Sequence, residues 1–242
     1  MLSVPGMTIT LSCPPAPSAS LRDRATGERI ASCAIVVAVA GFLALIVPAM
    51  RAYPGGTAWD STTRGSDFWL NYLSDLQRSV ALNGEPNTAG AALAQTAMLV
   101  LAVGLAPFWW LAARRFPERP LLGCAVRTSG LAGVVGSIAV GLMPSDRFGD
   151  GHSLAIVLGG VPGLVAAGLA VVGLAGRGRS ARVAAVTGAV TVLVSSADFL
   201  LYVERLGRAG PDLPVIALLE RLSIILALLW MCTIAWEADR AG

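Results

Sequence analysis

The chain has 242 residues, of which 55% are hydrophobic and 14% are charged, and its net charge is +3 at pH 7. A soluble domain has about a quarter of its residues charged, so this composition predicts a membrane protein. The small net charge and the lack of basic residues interleaved with aromatic ones exclude a nucleic-acid partner. All basic residues are Arg, which excludes lysine chemistry, and a single His excludes zinc sites that need several. We predict no metal and no cofactor.

The N-terminal residues 1–29 are rich in Pro, Ser and Thr, which predicts a disordered cytoplasmic tail. Six apolar stretches follow within residues 30–238, and each approaches the length of about 20 residues that a membrane-spanning helix needs. Lipid offers no water to open sheet edges, so the stretches must be helices. The sequence therefore predicts an all-α integral membrane bundle of six transmembrane helices, at about residues 30–50, 88–113, 121–143, 153–176, 183–203 and 213–236.

The distribution of Arg predicts the orientation of the bundle, because loops on the cytoplasmic side carry the excess of basic residues. Eleven lie in the tail, the 2–3 loop region, the 4–5 loop and the C-terminus: Arg22, Arg24, Arg29, Arg114, Arg115, Arg119, Arg127, Arg177, Arg179, Arg182 and Arg240. Six lie in the opposite loops: Arg51, Arg64, Arg78, Arg147, Arg205 and Arg208. Both termini are therefore expected in the cytoplasm of a cell whose plasma membrane the chain crosses.

Small and aromatic residues predict how the helices pack. Glycines recur in the third span (Gly130, Gly133, Gly136) and in the fourth (Gly159, Gly160, Gly163), which predicts a close helical hairpin. Trp109, Trp110 and Trp236 fall near the cytoplasmic ends of their spans and are expected to anchor them at the membrane interface.

The first outer loop, residues 51–87, is too long for a simple connection. Tyr53-Pro54-Gly55-Gly56 and Asn83-Gly84 are turn signals. Between them, Asp67, Asn71, Asp75 and Arg78 fall on one face of a helix, and large apolar residues cover much of the rest. We therefore expect an amphipathic helix over Asp67–Leu82. It could be a lid that presents Asn71 and Asp75 to a cavity, or a cap that only holds the first two spans.

Two further polar clusters are expected on the same side. His152, the only His, begins the fourth span close to Asp146 and Asp150, where it could transfer protons or face the headgroups while an acid caps the helix. Asp198, Tyr202 and Glu204 lie on the fifth span, and Glu220 and Arg221 on the sixth. Charges inside a span face a partner or a wet cavity, so Arg221 is the expected counter-ion of Asp198 or Glu220, either as a structural pair or in a functional site.

A single outward-facing pocket explains most simply why three separate hairpins place polar residues on one side. We predict acid–base groups at Asp75, Asp146, His152, Asp198 and Glu220. The residues expected to bind the substrate are Trp69, Asn71, Tyr72, Tyr202 and Arg221.

The first loop also resembles a known family. Tyr53-Pro54-Gly55-Gly56, Asp60, Gly65, Trp69, Asn71-Tyr72, Asn83-Gly84 and Asn87 are similar to the first-loop signature of a bacterial membrane-protein family catalogued as domain of unknown function 998. The resemblance covers roughly residues 30–240, with six helices and an outer His near the start of the fourth. It implies the fold and no particular activity.

Three functions are compatible with this pattern. The first is an enzyme acting on a lipid or isoprenoid by acid–base chemistry; no GxSxG motif indicates covalent hydrolysis. The second is an accessory protein that binds a lipid or a protein without catalysis, and membrane lipids are the expected partners in either case. The third is a small transporter, although neither inverted repeats nor broken helices are evident.

Overall fold

The computed structural model describes residues 21–208 and 213–241, and this part of the chain is helical with no β-strand. Eight helices follow one another in it: α1 (Leu21–Ala52), α2 (Leu73–Leu76), α3 (Thr88–Arg114), α4 (Pro120–Leu142), α5 (Ser145–Phe148), α6 (Asp150–Ala175), α7 (Arg179–Arg208) and α8 (Pro214–Ala241). Six of these described helices, all but α2 and α5, are long and apolar enough to cross a membrane. The six predicted spans are therefore confirmed.

The six long helices form a closed ring. Each packs on the next one in chain order, and α8 returns to pack against α1. Helix α8 also contacts α3 across the ring, so the interior is filled by side chains such as Phe108, Trp230 and Met231. We call the end of the ring that carries residues 53–87 and α5 the loop end.

Helices α4 and α6 make the closest approach, as the glycines predict. The backbones of Gly133 and Gly136 face those of Gly159 and Gly163, and a side chain built at Gly136 would collide with the backbone of Gly159. The remaining two glycines of the predicted set, Gly130 and Gly160, have another role. Gly130 receives the ring of Trp109, and Gly160 receives that of Phe199, so each is a notch for an aromatic side chain of another helix.

The first helix begins earlier than expected, because residues 21–29 belong to α1 and not to a disordered tail. Polar contacts with neighbouring helices stabilise this extension. Glu28 accepts a hydrogen bond of 2.9 Å from Arg114 at the end of α3, and Arg29 lies 3.6 Å from Asp239 on α8. The rest of the predicted tail, residues 1–20, lies outside the described residues. Helix α7 is also longer than its predicted span, and an exposed Glu204–Arg208 pair of 3.0 Å spans its last turn.

The expected long helix over Asp67–Leu82 is wrong, since only the single turn α2 forms there. Side chains take the backbone hydrogen bonds that a helix would need. The amide of Tyr72 donates to Asp75 Oδ2 and the amide of Leu73 donates to Glu220 Oε2, in place of the carbonyls of residues 68 and 69. Short polar side chains of this kind compete with helix formation. The loop nevertheless has a defined, folded structure.

Part of the first-loop signature forms the interior of that loop, whereas Asp60, Trp69 and Gly84 are exposed. Gly55 and Gly56 adopt positive φ values of 149° and 86°, as the turn signal predicts. Buried Tyr53 accepts a hydrogen bond of 3.0 Å from the amide of Leu82, and buried Asn71 donates one of 2.8 Å to the carbonyl of Gly56. Asn87 donates to the carbonyls of residues 76 and 78. The signature therefore has a structural explanation that requires no ligand.

The predicted aromatic anchors fall into two groups. Trp236 is half exposed on α8, as an interface residue would be. Trp109 is only 5% exposed and packs edge-on against Phe108 and Trp230 with ring centroids 4.7 Å and 6.1 Å away, so its assignment as an interface anchor is wrong. Because Gly130 has no side chain, the indole ring of Trp109 fits inside the bundle at this position.

Candidate functional site

A cavity of about 410 Å³ lies at the loop end, between the first loop and helices α3, α4, α6, α7 and α8. Asp75, His152, Asp198 and Glu220 all line it, as do Tyr72 and Tyr202. Four of the five residues predicted for acid–base chemistry are thus brought to one space, although they come from four separate elements of the chain. The apolar part of the wall includes Met98, Val140, Ile156 and Phe199.

His152 is held in one orientation and one tautomer. Its Nδ1 lies 2.6 Å from the carbonyl oxygen of Met143, at the end of α4. A carbonyl oxygen only accepts hydrogen bonds, so Nδ1 carries the proton and Nε2 of the neutral ring has a free lone pair. Nε2 is buried and has no hydrogen-bond partner among the described residues, and His152 is 3% exposed. His152 therefore offers a fixed acceptor, oriented by a backbone carbonyl and not by Asp146 or Asp150.

Asp198 is the least constrained of the acids. It lies on α7, lines the cavity, and makes no hydrogen bond or ion pair with any residue of the described ranges. A carboxyl group inside a membrane span without a protein partner is expected to face a wet or ligand-filled space. Asp198 can therefore meet a bound molecule without first breaking a protein contact.

Glu220 and Arg221 attach the first loop to α8. Glu220 Oε2 accepts a hydrogen bond of 3.0 Å from the amide of Leu73, and Arg221 donates one of 2.9 Å to the carbonyl of Asn71. The Arg221 guanidinium also lies over the ring of Phe68, 5.3 Å from its centroid. Arg221 is 4% exposed and does not line the cavity, so its observed contacts are with the loop.

Asp75 lies at the start of α2, where its Oδ2 accepts hydrogen bonds from the amide of Tyr72 and from Asn71 Nδ2. Burial raises the pKa of Asp75 to about 6, although these hydrogen bonds and the charges of Arg78 and Arg221 lower it. Asp75 thus exchanges its proton nearer neutral pH than an ordinary Asp does. A carboxyl group with such a pKa is suited to both accepting and donating a proton.

Asp146 is not a cavity residue. Its Oδ2 accepts hydrogen bonds from the amide and hydroxyl of Ser79, at 2.7 Å and 2.6 Å, which attach the first loop to α5. Partial burial would raise the pKa of Asp146, but these bonds, the amide of Val80 and the charge of Arg78 outweigh it, and the pKa lies below its usual value. Asp146 is therefore an ionised attachment point for the loop.

The residues predicted to bind a substrate also divide into residues that line the cavity and residues that do not. Tyr72 and Tyr202 line the cavity. Trp69 is half exposed and packs edge-on against Phe68, and Asn71 is fully buried within the loop. Among the described residues, no group of three or more His, Cys, Asp or Glu is placed to hold a metal ion.

Sequence reasoning missed Gln77, which lines the cavity and is completely buried. Its backbone carbonyl accepts a hydrogen bond of 3.0 Å from Gln95 on α3, while neither polar atom of its side chain has a partner in the part of the chain that the structure describes. Buried amides are nearly always hydrogen-bonded, which makes Gln77 unusual. Nothing in the residue's local pattern marks it, because its burial comes from the contact between the loop and α3.

The fold and the spans define the class: this is an integral, multi-pass membrane protein of the α-helical bundle type, with a cavity at one end that polar and apolar side chains line. Comparison with protein-family models, with curated proteins and with solved structures finds no match to this chain. The first-loop resemblance therefore stays a prediction.

Proposed function

We propose that this protein is a membrane-embedded enzyme that carries out acid–base chemistry on a lipid or an isoprenoid. The observation that carries the proposal is the free Nε2 lone pair of His152, fixed inside the cavity that Asp198, Glu220 and Asp75 also line. A fixed acceptor in a cavity that carboxyl groups also line is suited to proton transfer to and from a bound molecule. The cavity opens within an apolar bundle, so its natural substrate has a polar group on an apolar body.

The roles follow from the contacts of each residue. His152 Nε2 accepts the proton, since it is oriented and unpartnered. Asp198 supplies the second titratable group, because it makes no hydrogen bond or ion pair with the described residues that would have to break. Glu220 positions the loop through Leu73 while it lines the cavity, and Tyr72 and Tyr202 complete the polar wall.

Turnover of membrane lipids should depend on His152 and Asp198. The purified protein would be reconstituted into vesicles of the native host's membrane lipids, and lipid products would be followed by mass spectrometry. We expect His152→Gln and Asp198→Asn to lower turnover by about a hundredfold, the size of effect typical of a lost acid or base.

Asp150→Asn is the matched control, because Asp150 is an exposed acid at the loop end that does not line the cavity. It should keep the wild-type rate. Unchanged turnover in both cavity variants would rule out the enzyme. Loss of a co-purified lipid in those variants, without turnover in any of them, would favour the binding protein instead.

We infer further that the loop end faces the outside of the plasma membrane, with both termini in the cytoplasm. The eleven Arg on one side against six on the other support this orientation. In a variant without native Cys, Glu85→Cys at the loop end should react with a membrane-impermeant maleimide in intact cells. Glu118→Cys, also exposed but at the other end, should react only after permeabilisation. The reverse labelling pattern would invert the orientation.

A further inference from the structure

The cavity wall contains two polar groups that have no partner within residues 21–208 and 213–241. His152 Nε2 can only accept a hydrogen bond, and the side-chain amide of Gln77 can both donate and accept. Both residues are at least nine-tenths buried, His152 at 3% and Gln77 at 0% exposure. A buried polar group without a partner destabilises a fold, so two of them in one cavity point to a bound molecule that supplies the partners.

We propose that Gln77 and His152 together bind an uncharged polar group that both donates and accepts hydrogen bonds, of which the hydroxyl groups of an alcohol or glycerol headgroup are the simplest kind. A hydroxyl can donate to His152 Nε2, and a hydroxyl oxygen can accept from the Gln77 amide. The proposal rests on the proposed function only in placing the substrate's polar group in this cavity.

The charges around the cavity do not select an ion of one sign. Asp75, Asp198 and Glu220 attract a cation and repel an anion, and Arg78 and Arg205, which also line the wall, do the reverse. The two unpartnered groups carry no charge, because the Gln77 amide and the His152 ring are both neutral. A charged headgroup would find hydrogen-bonding groups but no opposite charge at these two positions, so its loss of hydration would be only partly offset.

Because His152 is the only His in the chain, its ring nitrogens give a direct readout of binding. The protein would be labelled with ¹⁵N-histidine, placed in nanodiscs and titrated with three probes of equal chain length: 1-octanoylglycerol, octylammonium and octyl phosphate. We expect 1-octanoylglycerol alone to shift the unprotonated Nε2 resonance in a saturable way.

Gln77→Met removes the amide while keeping the length of the side chain. It should weaken 1-octanoylglycerol binding about tenfold, the cost of one lost hydrogen bond. It should also raise the Tm of the empty protein, because an unpartnered buried amide has gone; a merely structural Gln77 would lower it. Thr128→Val on α4, an exposed residue bonded only within its own helix, should change neither value.

Each other outcome overturns the proposal. A shift with octylammonium or octyl phosphate in place of 1-octanoylglycerol would show that the headgroup is charged. No shift with any probe would show that the cavity does not bind such amphiphiles, and an unaltered affinity in Gln77→Met would remove Gln77 from the site. The enzyme is tested separately, by turnover in Asp198→Asn, and can survive each of these results.

Discussion

Gly136→Ala is expected to separate helices α4 and α6 and to destabilise the bundle by about 3 kcal/mol. The added methyl group would meet the backbone of Gly159 and, at 2.7 Å, the carbonyl carbon of Leu158. Backbone cannot rotate away as a side chain can, so one of the helices must move. Helix–helix association in lipid depends on such close packing. Thermal unfolding in nanodiscs measures the effect.

Gly163→Ala is the matched control for this change. Gly163 faces the same interface from α6, but a methyl group built there meets nothing within 4 Å. It should leave the Tm close to the wild-type value. If Gly136→Ala and Gly163→Ala had the same Tm, the described close packing of α4 against α6 at Gly136 would be wrong.

Arg221→Met is expected to release the first loop from α8 and to cost about 3–5 kcal/mol, as the loss of one partner from a buried charged network does. The carbonyl of Asn71 would lose its donor, and the Glu220 carboxylate would lose the neighbouring positive charge. Hydrogen exchange of the backbone over residues 71–79 should rise, because these residues lie between the attachments to Arg221 and Asp146.

The double variant Arg221→Met with Glu220→Gln separates the loss of the hydrogen bond to Asn71 from the loss of the positive charge near Glu220. It removes both charges and leaves an amide oxygen that can still accept from Leu73, so it should recover part of the lost stability. Arg221→Lys should fall between wild type and Arg221→Met, since an ammonium keeps the charge but not the planar contact with Phe68. A double variant no more stable than Arg221→Met would show that Arg221 does not compensate Glu220.

Some of these features could be predicted from the sequence, because a lipid environment restricts which backbone structures the chain can form. In a membrane the apolar stretches must be helices, so composition and length alone give the six spans. Turn chemistry gives Gly55, Gly56 and Gly84 their positive φ values in the same local way. His152, Asp198 and Glu220 could be selected because an ionisable side chain in a span needs a reason to be there.

Other features depend on contacts between distant segments. A helical repeat suggested an amphipathic helix at Asp67–Leu82, but the side chains of Asp75 and Glu220 take the amides of Tyr72 and Leu73 that would continue it. Asp146 has the right chemistry for catalysis, yet Ser79 occupies its carboxylate. Gln77 carries no local signal, because its burial is decided by packing against α3. In each case the deciding partner lies elsewhere in the loop or in another helix.

The way the loop is attached also sets the order in which the site can be built. The amide of Leu73 and the carbonyl of Asn71 bind residues of α8 that are synthesised about 150 residues later. The attachment to Asp146 becomes available midway, when α4 and α5 have emerged. The nascent chain therefore carries an unattached loop until α8 has been made, and the cavity acquires its last wall only when α8 enters the membrane. Completion of the site thus waits for the last of the six long helices that the structure describes.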